Sequence, residues 1–186
     1  MNVTPELDAR FRDAAIAERL VDVRHDVVDS PIGPLQVAET ERGLCRISFF
    51  EDGFEDELAR QFGLRVLRAP VDDVRRELDE YFEGKRTVFD LPLDLRVAPF
   101  HAEVLHELAL VPYGRTETYG ALAARVGRPR AARAVGTVMN RNPIPIVLPC
   151  HRIVGANGSL TGYGGGLPAK RFLLGLEGAT LSLPDH

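Results

Sequence analysis

Cysteine occurs only twice in these 186 residues, and Cys150 stands between Pro149 and the pair His151-Arg152, at the end of the apolar run Ile144-Pro145-Ile146-Val147-Leu148. The run reads as an apolar strand that delivers a thiol beside a potential base. The thiolate is the reactive form of cysteine, and a neighbouring base or cation makes it accessible, so Cys150 is a candidate nucleophile. Successive side chains of a straight strand point to opposite faces, so Cys150 and His151 cooperate only if the backbone turns between them. Pro149 supplies such a turn, and Asn142-Pro143 supplies a bend upstream. The competing reading is a buried core cysteine, the usual fate of a lone one. His151 and Arg152 are poor companions for that role.

The glycine-rich stretch from Gly155 to Leu167 lacks the Gly-Lys-Ser/Thr ending of a phosphate loop and does not match a dinucleotide fingerprint. It predicts a close-fitting pocket wall and no nucleotide cofactor. Cys45 and Cys150 are too few for a disulfide framework or a cysteine-rich zinc site, so no metal is expected and Cys45 reads as core. The first residues are polar and acidic, and no apolar run approaches the roughly 20 residues of a membrane span. A cytoplasmic protein without a membrane anchor is expected.

The net charge of -4 conceals an asymmetry: residues 1–97 hold 14 Arg/Lys against 22 Asp/Glu, whereas residues 98–186 hold nine against five. Arg125, Arg128, Arg130, Arg133, Arg141 and Arg152 account for most of the basic excess. An acidic supporting half and a basic half that meets a polyanion is one reading. A solvated helix face is the other.

The elements that must position these residues follow from periodicity. Residues 1–20 predict an amphipathic helix after Thr4-Pro5-Glu6, with Leu7, Phe11, Ala15 and Leu20 on one side. Residues 23–28, 35–40 and 44–50 alternate as strands around turns at Ser30–Pro34 and Arg42-Gly43, an antiparallel meander. Helical spacing follows over 54–62 and 71–82, where Val74, Leu78 and Phe82 recur every four residues. Residues 87–98 form an extended connector, and a domain boundary is expected near 97. Beyond it lie a helix from Pro99 to about Leu110, a helix over 119–126 capped by Thr118, and a helix over 130–140. The break at Gly127-Arg128-Pro129 gives the last two helix-turn-helix spacing. The helix of 130–140 carries Ala131, Ala132 and Ala134 around Arg133. Such small residues suit close approach to a narrow groove or tight packing on a neighbour. A final helix, 167–176, should bury Phe172, Leu173 and Leu176 before Glu177-Gly178 closes it; Glu177 itself could be a solvated helix end.

These marks together resemble the O6-alkylguanine-DNA alkyltransferase family: Pro149-Cys150-His151-Arg152, the preceding Asn142-Pro143-Ile144-Pro145, Ala131 to Gly136, Gly165-Gly166-Leu167, Leu173-Leu174 and Glu177-Gly178. The resemblance runs from about Val21 to Gly178. It implies an α+β two-domain fold: an amino-terminal antiparallel sheet with helices, ribonuclease-like, over 21–97, and a mostly helical carboxyl-terminal domain with a helix-turn-helix over 98–180. Residues 1–20 would be an extension and 181–186 a tail.

The activity implied is DNA repair by one irreversible transfer of the alkyl group from O6-alkylguanine in duplex DNA to Cys150, with O4-alkylthymine as a further candidate substrate. His151 would take the thiol proton through a water, Glu177 would orient His151, and Asn142 would hold the turn that presents the thiol. Tyr119 would act at the 3′ phosphate and at guanine N3. Arg133 would fill the stack of the flipped base, with Ala131, Ala134, Arg130 and Arg141 at the DNA. Tyr163, Gly164, Pro145 and Val147 would form the base pocket. Gly164 stands where some members have serine, and Phe172 where many have tryptophan, a difference expected to concern packing. The resemblance implies no cofactor and a monomer, with cooperative DNA binding left open. Two rival classes remain at this stage: a non-reacting minor-groove binder and a multiple-turnover Cys-His hydrolase.

Overall fold

The computed structural model describes residues 4–49 and 52–179. A first helix, α1 (Pro5–Ala17), is capped by Thr4 Oγ1, which accepts from Leu7 N at 3.3 Å, and buries none of its residues. Its expected apolar side, Leu7 and Phe11, is exposed. Three strands follow, β1 (Val23–Val28), β2 (Leu35–Thr40) and β3 (Gly43–Phe49), with Val23, Val28, Leu35, Val37, Leu44 and Ile47 turned into the core. They pair antiparallel, His25 opposite Ala38 and Val37 opposite Ile47. The last residue expected in β3, Phe50, lies outside the described residues.

Helix α2 (Phe54–Phe62) leads into β4 (Val66–Arg68), a strand absent from the sequence reading. It joins β1 in parallel, giving the order β3-β2-β1-β4 and a mixed sheet. Three residues are too short for alternation to be read, and β4 is fixed from outside: Asp22 accepts from Arg65 N and Arg65 Nε, each at 3.1 Å. Helix α3 (Asp72–Phe82) buries Val74, Leu78 and Tyr81 and ends at Gly84, whose φ of 71° suits glycine.

The connector of 87–98 lies along β3, with Leu44 N donating to Pro92 O and Asp94 N to Leu44 O. Gly43 permits this approach: at φ 133° a Cβ there would collide with the Pro92 carbonyl. Beyond it come α4 (Pro99–Ala109), β5 (Glu117–Thr118), α5 (Tyr119–Arg125), α6 (Ala132–Asn140), β6 (Ile153–Val154) and α7 (Gly166–Leu176). Thr118 Oγ1 caps α5 through Ala121 N as its position predicted. Helix α6 begins two residues later than expected, because Ala131 N bonds back to Arg128 O and closes a turn over Pro129. The apolar core continues across residue 97, from Leu35 and Leu78 to Leu105, Leu122, Ile144 and Leu173. No helix among the described residues is long and apolar enough to cross a membrane.

Candidate active site

The run expected to be a strand is not one. Prolines at 143, 145 and 149 remove three ladder donors, and Asn142 closes the segment on itself: its Oδ1 accepts from Ile144 N at 3.1 Å and its Nδ2 donates to Leu148 O at 2.8 Å. Within this loop Ile146 adopts φ 76°, a left-handed conformation that a β-branched residue holds only when its surroundings fix it, and its side chain is fully buried. Pro149 then starts a single 3₁₀ turn, Cys150–Arg152, before β6 pairs with β5. The turn required for Cys150 and His151 to share a side is therefore present. The loop is also tied to the first half of the chain, since Ile47 N in β3 donates to Pro143 O at 2.9 Å.

Glu177 organises what surrounds the thiol. It is buried, which removes the solvated reading, and its carboxylate gathers five donors. Oε1 receives Tyr81 Oη at 2.7 Å, His151 Nε2 at 2.8 Å and Arg152 Nη2 at 2.9 Å; Oε2 receives Arg152 Nε at 2.9 Å and Gly114 N at 3.1 Å. Burial alone would raise its pKa, but the hydrogen bonds and charges of His151 and Arg152 outweigh it and bring the carboxyl down to about 2. An ionised carboxylate only accepts, so His151 carries its proton on Nε2 and presents a bare Nδ1. Burial lowers the pKa of His151 despite Glu177, keeping the imidazole neutral and able to accept a proton. Among the described residues, His151 Nδ1 and Tyr163 Oη are buried polar atoms with no hydrogen-bonding partner in the protein.

The thiol differs from the low-pKa nucleophile anticipated from its neighbours. Cys150 is 5 % exposed, and desolvation raises its pKa to about 11 against the lesser opposing effects of Asn142 and Lys170. It rests as a thiol, and its proton must leave as it attacks. Lys170, also buried, donates from Nζ to Ile153 O and Thr161 O, which joins β6 to the glycine-rich loop; burial lowers its pKa to about 8.

Cys150 opens onto a cleft of about 440 Å³ lined by Phe49, Asn142, Pro145 and Gly164 among others, with Arg141 on its wall. Phe49, from β3, meets Tyr163 edge to face with centroids 5.4 Å apart. A Cβ on Gly165 would lie 2.5 Å from the Phe49 ring, so this glycine is needed for close approach. Val147, expected in the pocket, is half-buried and is not among the cleft's lining residues.

The chain matches known proteins on both sides of residue 97. Residues 23–95 match "6-O-methylguanine DNA methyltransferase, ribonuclease-like domain" and residues 99–179 match "6-O-methylguanine DNA methyltransferase, DNA binding domain". The chain belongs to this family. The methylated-DNA–protein-cysteine methyltransferase of Methanosarcina barkeri is 41 % identical over 162 residues, covering 82 % of this chain and 96 % of its own. The crystal structure of the Mycobacterium tuberculosis O6-methylguanine methyltransferase aligns with a TM-score of 0.75 at 42 % identity, covering 84 % of this chain and 93 % of that one. The crystal structure of Mycobacterium tuberculosis OGT in complex with DNA aligns with a TM-score of 0.74 at 41 % identity, covering 84 % of this chain and 92 % of that one.

Within this methyltransferase fold the basic cluster divides. Arg125 pairs with Glu107 and Glu117, both at 2.7 Å. Arg128 lies over the Phe100 ring and 3.5 Å from Glu103, and Arg152 is buried on Glu177. Sequence proximity grouped these three with the others, but the acidic partners Glu107, Glu103 and Glu177 lie 18 to 25 residues away along the chain. Arg130, Arg133 and Arg141 remain exposed, Arg133 on the first turn of α6 beside exposed Ala134 and half-buried Ala131. Tyr119 joins three parts of this face: its hydroxyl is 2.8 Å from Thr161 Oγ1, and its ring lies beside Gly136. Phe172, assigned to packing, is 40 % exposed, and Leu174 takes the buried position instead.

Sequence reasoning missed Tyr81, Lys170 and Phe49 as parts of this site. Tyr81 lay on the apolar side of a legible helix, but nothing along the chain shows which carboxylate lies 96 residues away.

Proposed function

We propose that this protein repairs duplex DNA by direct reversal, taking the alkyl group of O6-alkylguanine onto Cys150 once and irreversibly. The observation that carries the reading is a buried thiol on the 3₁₀ turn, followed by an imidazole whose Nε2 is fixed on an ionised carboxylate and whose Nδ1 is bare. In the reaction the sulfur forms a bond to the alkyl carbon while the carbon–O6 bond breaks, and that electron pair passes to the purine. The thiol proton moves through a water to His151 Nδ1, and the Tyr119 hydroxyl supplies a proton at guanine N3. Release of the His151 proton and reprotonation of Tyr119 complete the balance of thiol and alkylguanine against thioether and guanine. Water does not cleave a thioether under these conditions, so the molecule acts once.

The target atom lies in a base stack, and the base must rotate out at a cost of a few kcal/mol. Arg133 fills the gap, and Ala131 and Ala134 admit the minor groove. Arg130 and Arg141 meet phosphates, and Asn142 holds the presenting turn. Seven residues of helix place Arg133 about 10 Å along α6 from Asn140, on the rim of the cleft. Pro145 and Gly164 form the base pocket, with Tyr163 behind them against the Phe49 ring, and the Gly164 amide serves O6 without a side-chain hydroxyl. The protein acts as a monomer in the cytoplasm, with residues 21–97 as support and 98–180 as acceptor domain. Incubation with duplex carrying O6-methylguanine, followed by intact mass, tests this reading. One methyl on Cys150, and none in Cys150→Ala, is expected. Binding without mass gain points to a damage binder, and continued turnover to a hydrolase; either outcome overturns the proposal.

A further inference from the structure

Among the described residues, the amino-terminal half is hydrogen-bonded to the proton relay through one atom, the Tyr81 hydroxyl. Tyr81, on the last turn of α3, is fully buried among Phe82, Phe89 and Tyr113, with ring centroids 5.3 to 6.2 Å apart. Its hydroxyl donates to Glu177 Oε1 at 2.7 Å, the oxygen that also receives His151 Nε2 and Arg152 Nη2. A carboxylate offers about four lone-pair sites, and this one meets five donors, three of them on Oε1. Donors on one oxygen compete, since each draws on the same negative charge.

We propose that Tyr81 is a positioning residue for alkyl transfer: by sharing Glu177 Oε1 with His151 it limits the carboxylate's hold on the imidazole and so tunes how strongly His151 takes the thiol proton. The inference rests on the alkyl-transfer reading of this site. A need for burial alone does not account for the contact. Tyr113, in the same aromatic cluster, satisfies its hydroxyl on the main-chain Leu176 O at 3.2 Å and leaves the carboxylate alone. The charged and titratable groups around the pair come from several elements. They are Cys150 and Arg152 on the 3₁₀ turn, Lys170 on α7 and Glu177 just after it, Tyr163 from the glycine-rich loop, Tyr113 from the turn before β5, and Tyr81 from α3. Only Tyr81 belongs to the amino-terminal half.

Tyr81→Phe keeps the ring and removes the hydroxyl. Two readouts on the full chain decide the matter: the titration of His151 by NMR, assigned by its loss in His151→Gln, and the pH profile of the single-turnover rate with duplex O6-methylguanine. In Tyr81→Phe the carboxylate turns more fully to His151, so the histidine titration and the acid limb of the rate profile should both move upward by about half a unit to one unit. That scale is what one redistributed hydrogen bond to a charged group supports. Tyr113→Phe, a loss of the same atom from the same cluster, should leave the His151 titration in place. An unmoved His151 in Tyr81→Phe, or an equal movement in Tyr113→Phe, overturns the proposal. If the wild-type protein transfers no alkyl group at all, the functional reading fails instead, and the NMR titration still reports on the Tyr81 contact.

Discussion

The acceptor site and the arginine face are built by opposite rules. Around Glu177 the polar atoms are buried and nearly all are paired, with Tyr81, Gly114, His151 and Arg152 on one carboxylate. On the first turn of α6, Arg133 stands exposed, and among the described residues no hydrogen bond or ion pair engages its guanidinium. The proposed acceptor site is assembled in the free protein, whereas the face that would meet DNA leaves its charge to be satisfied by a partner. Such a division keeps the buried thiol protonated in the free protein and leaves the exposed arginines outside the packing of the fold.

Glu177→Gln should break this contrast most severely. It removes the charge that holds His151 in one tautomer and leaves Arg152 buried without its counter-ion. Transfer should fall by about 10²- to 10⁴-fold, the range that a positioned base contributes. Stability should fall by roughly 3–5 kcal/mol, the cost of breaking a buried ion pair by removing one partner. Rates on duplex and on free base should fall together, and thermal or denaturant unfolding checks the stability.

Acid should loosen the site before it affects the arginine face. Glu177 has a folded pKa of about 2 against 4.5 for an ordinary glutamate, so its stabilisation is present above about 4.5 and is lost as pH falls toward 2. It amounts to on the order of 3 kcal/mol. Burial holds the folded pKa of His151 below the 6.5 of an ordinary histidine, so folding opposes its protonation and stability begins to fall below about 6.5. Both groups act with the same sign, and unfolding free energy should decline from pH 6.5 downward. A plateau from pH 7 to pH 3 would contradict the burial of this pair.

Alkylation itself should act more gently. Cys150 is almost enclosed and packs beside Asn142, at the end of α6. A methyl added on the Asn142 side of the sulfur should crowd the loop, at about 1–3 kcal/mol. For a chain of this size each kcal/mol lowers the melting temperature by roughly 2–4 °C. A melting temperature unchanged after reaction would show that the cleft already has room.

The sequence disclosed these two regions unequally. Strands β1 to β3, helices α2 to α4 and the capped α5 were legible because their apolar residues repeat at the period of their own geometry. Cys150, His151 and Glu177 came from a short run and a resemblance, and the structure brings the three together. The conformation of 144–149 was misread as a strand, since apolar residues suggest pairing while prolines and the Asn142 bridge forbid it. The arginines were half misread for a similar reason: charge is visible along the chain, but the ion pairs that consume Arg125 and Arg152 are visible only in space. Tyr81 and Phe49 carried no local signal, because their roles depend on where one half of the chain rests against the other.

The direct test of this division is a pair of rates measured in Arg133→Ala. Transfer from free O6-benzylguanine should stay within about twofold of wild type, since the variant leaves the acceptor site intact. Transfer from duplex O6-methylguanine should fall at least tenfold, because the flipped base loses the side chain that fills its place in the stack. An equal fall on both substrates would contradict the account, for it would mean that the arginine face and the acceptor site are one mechanism.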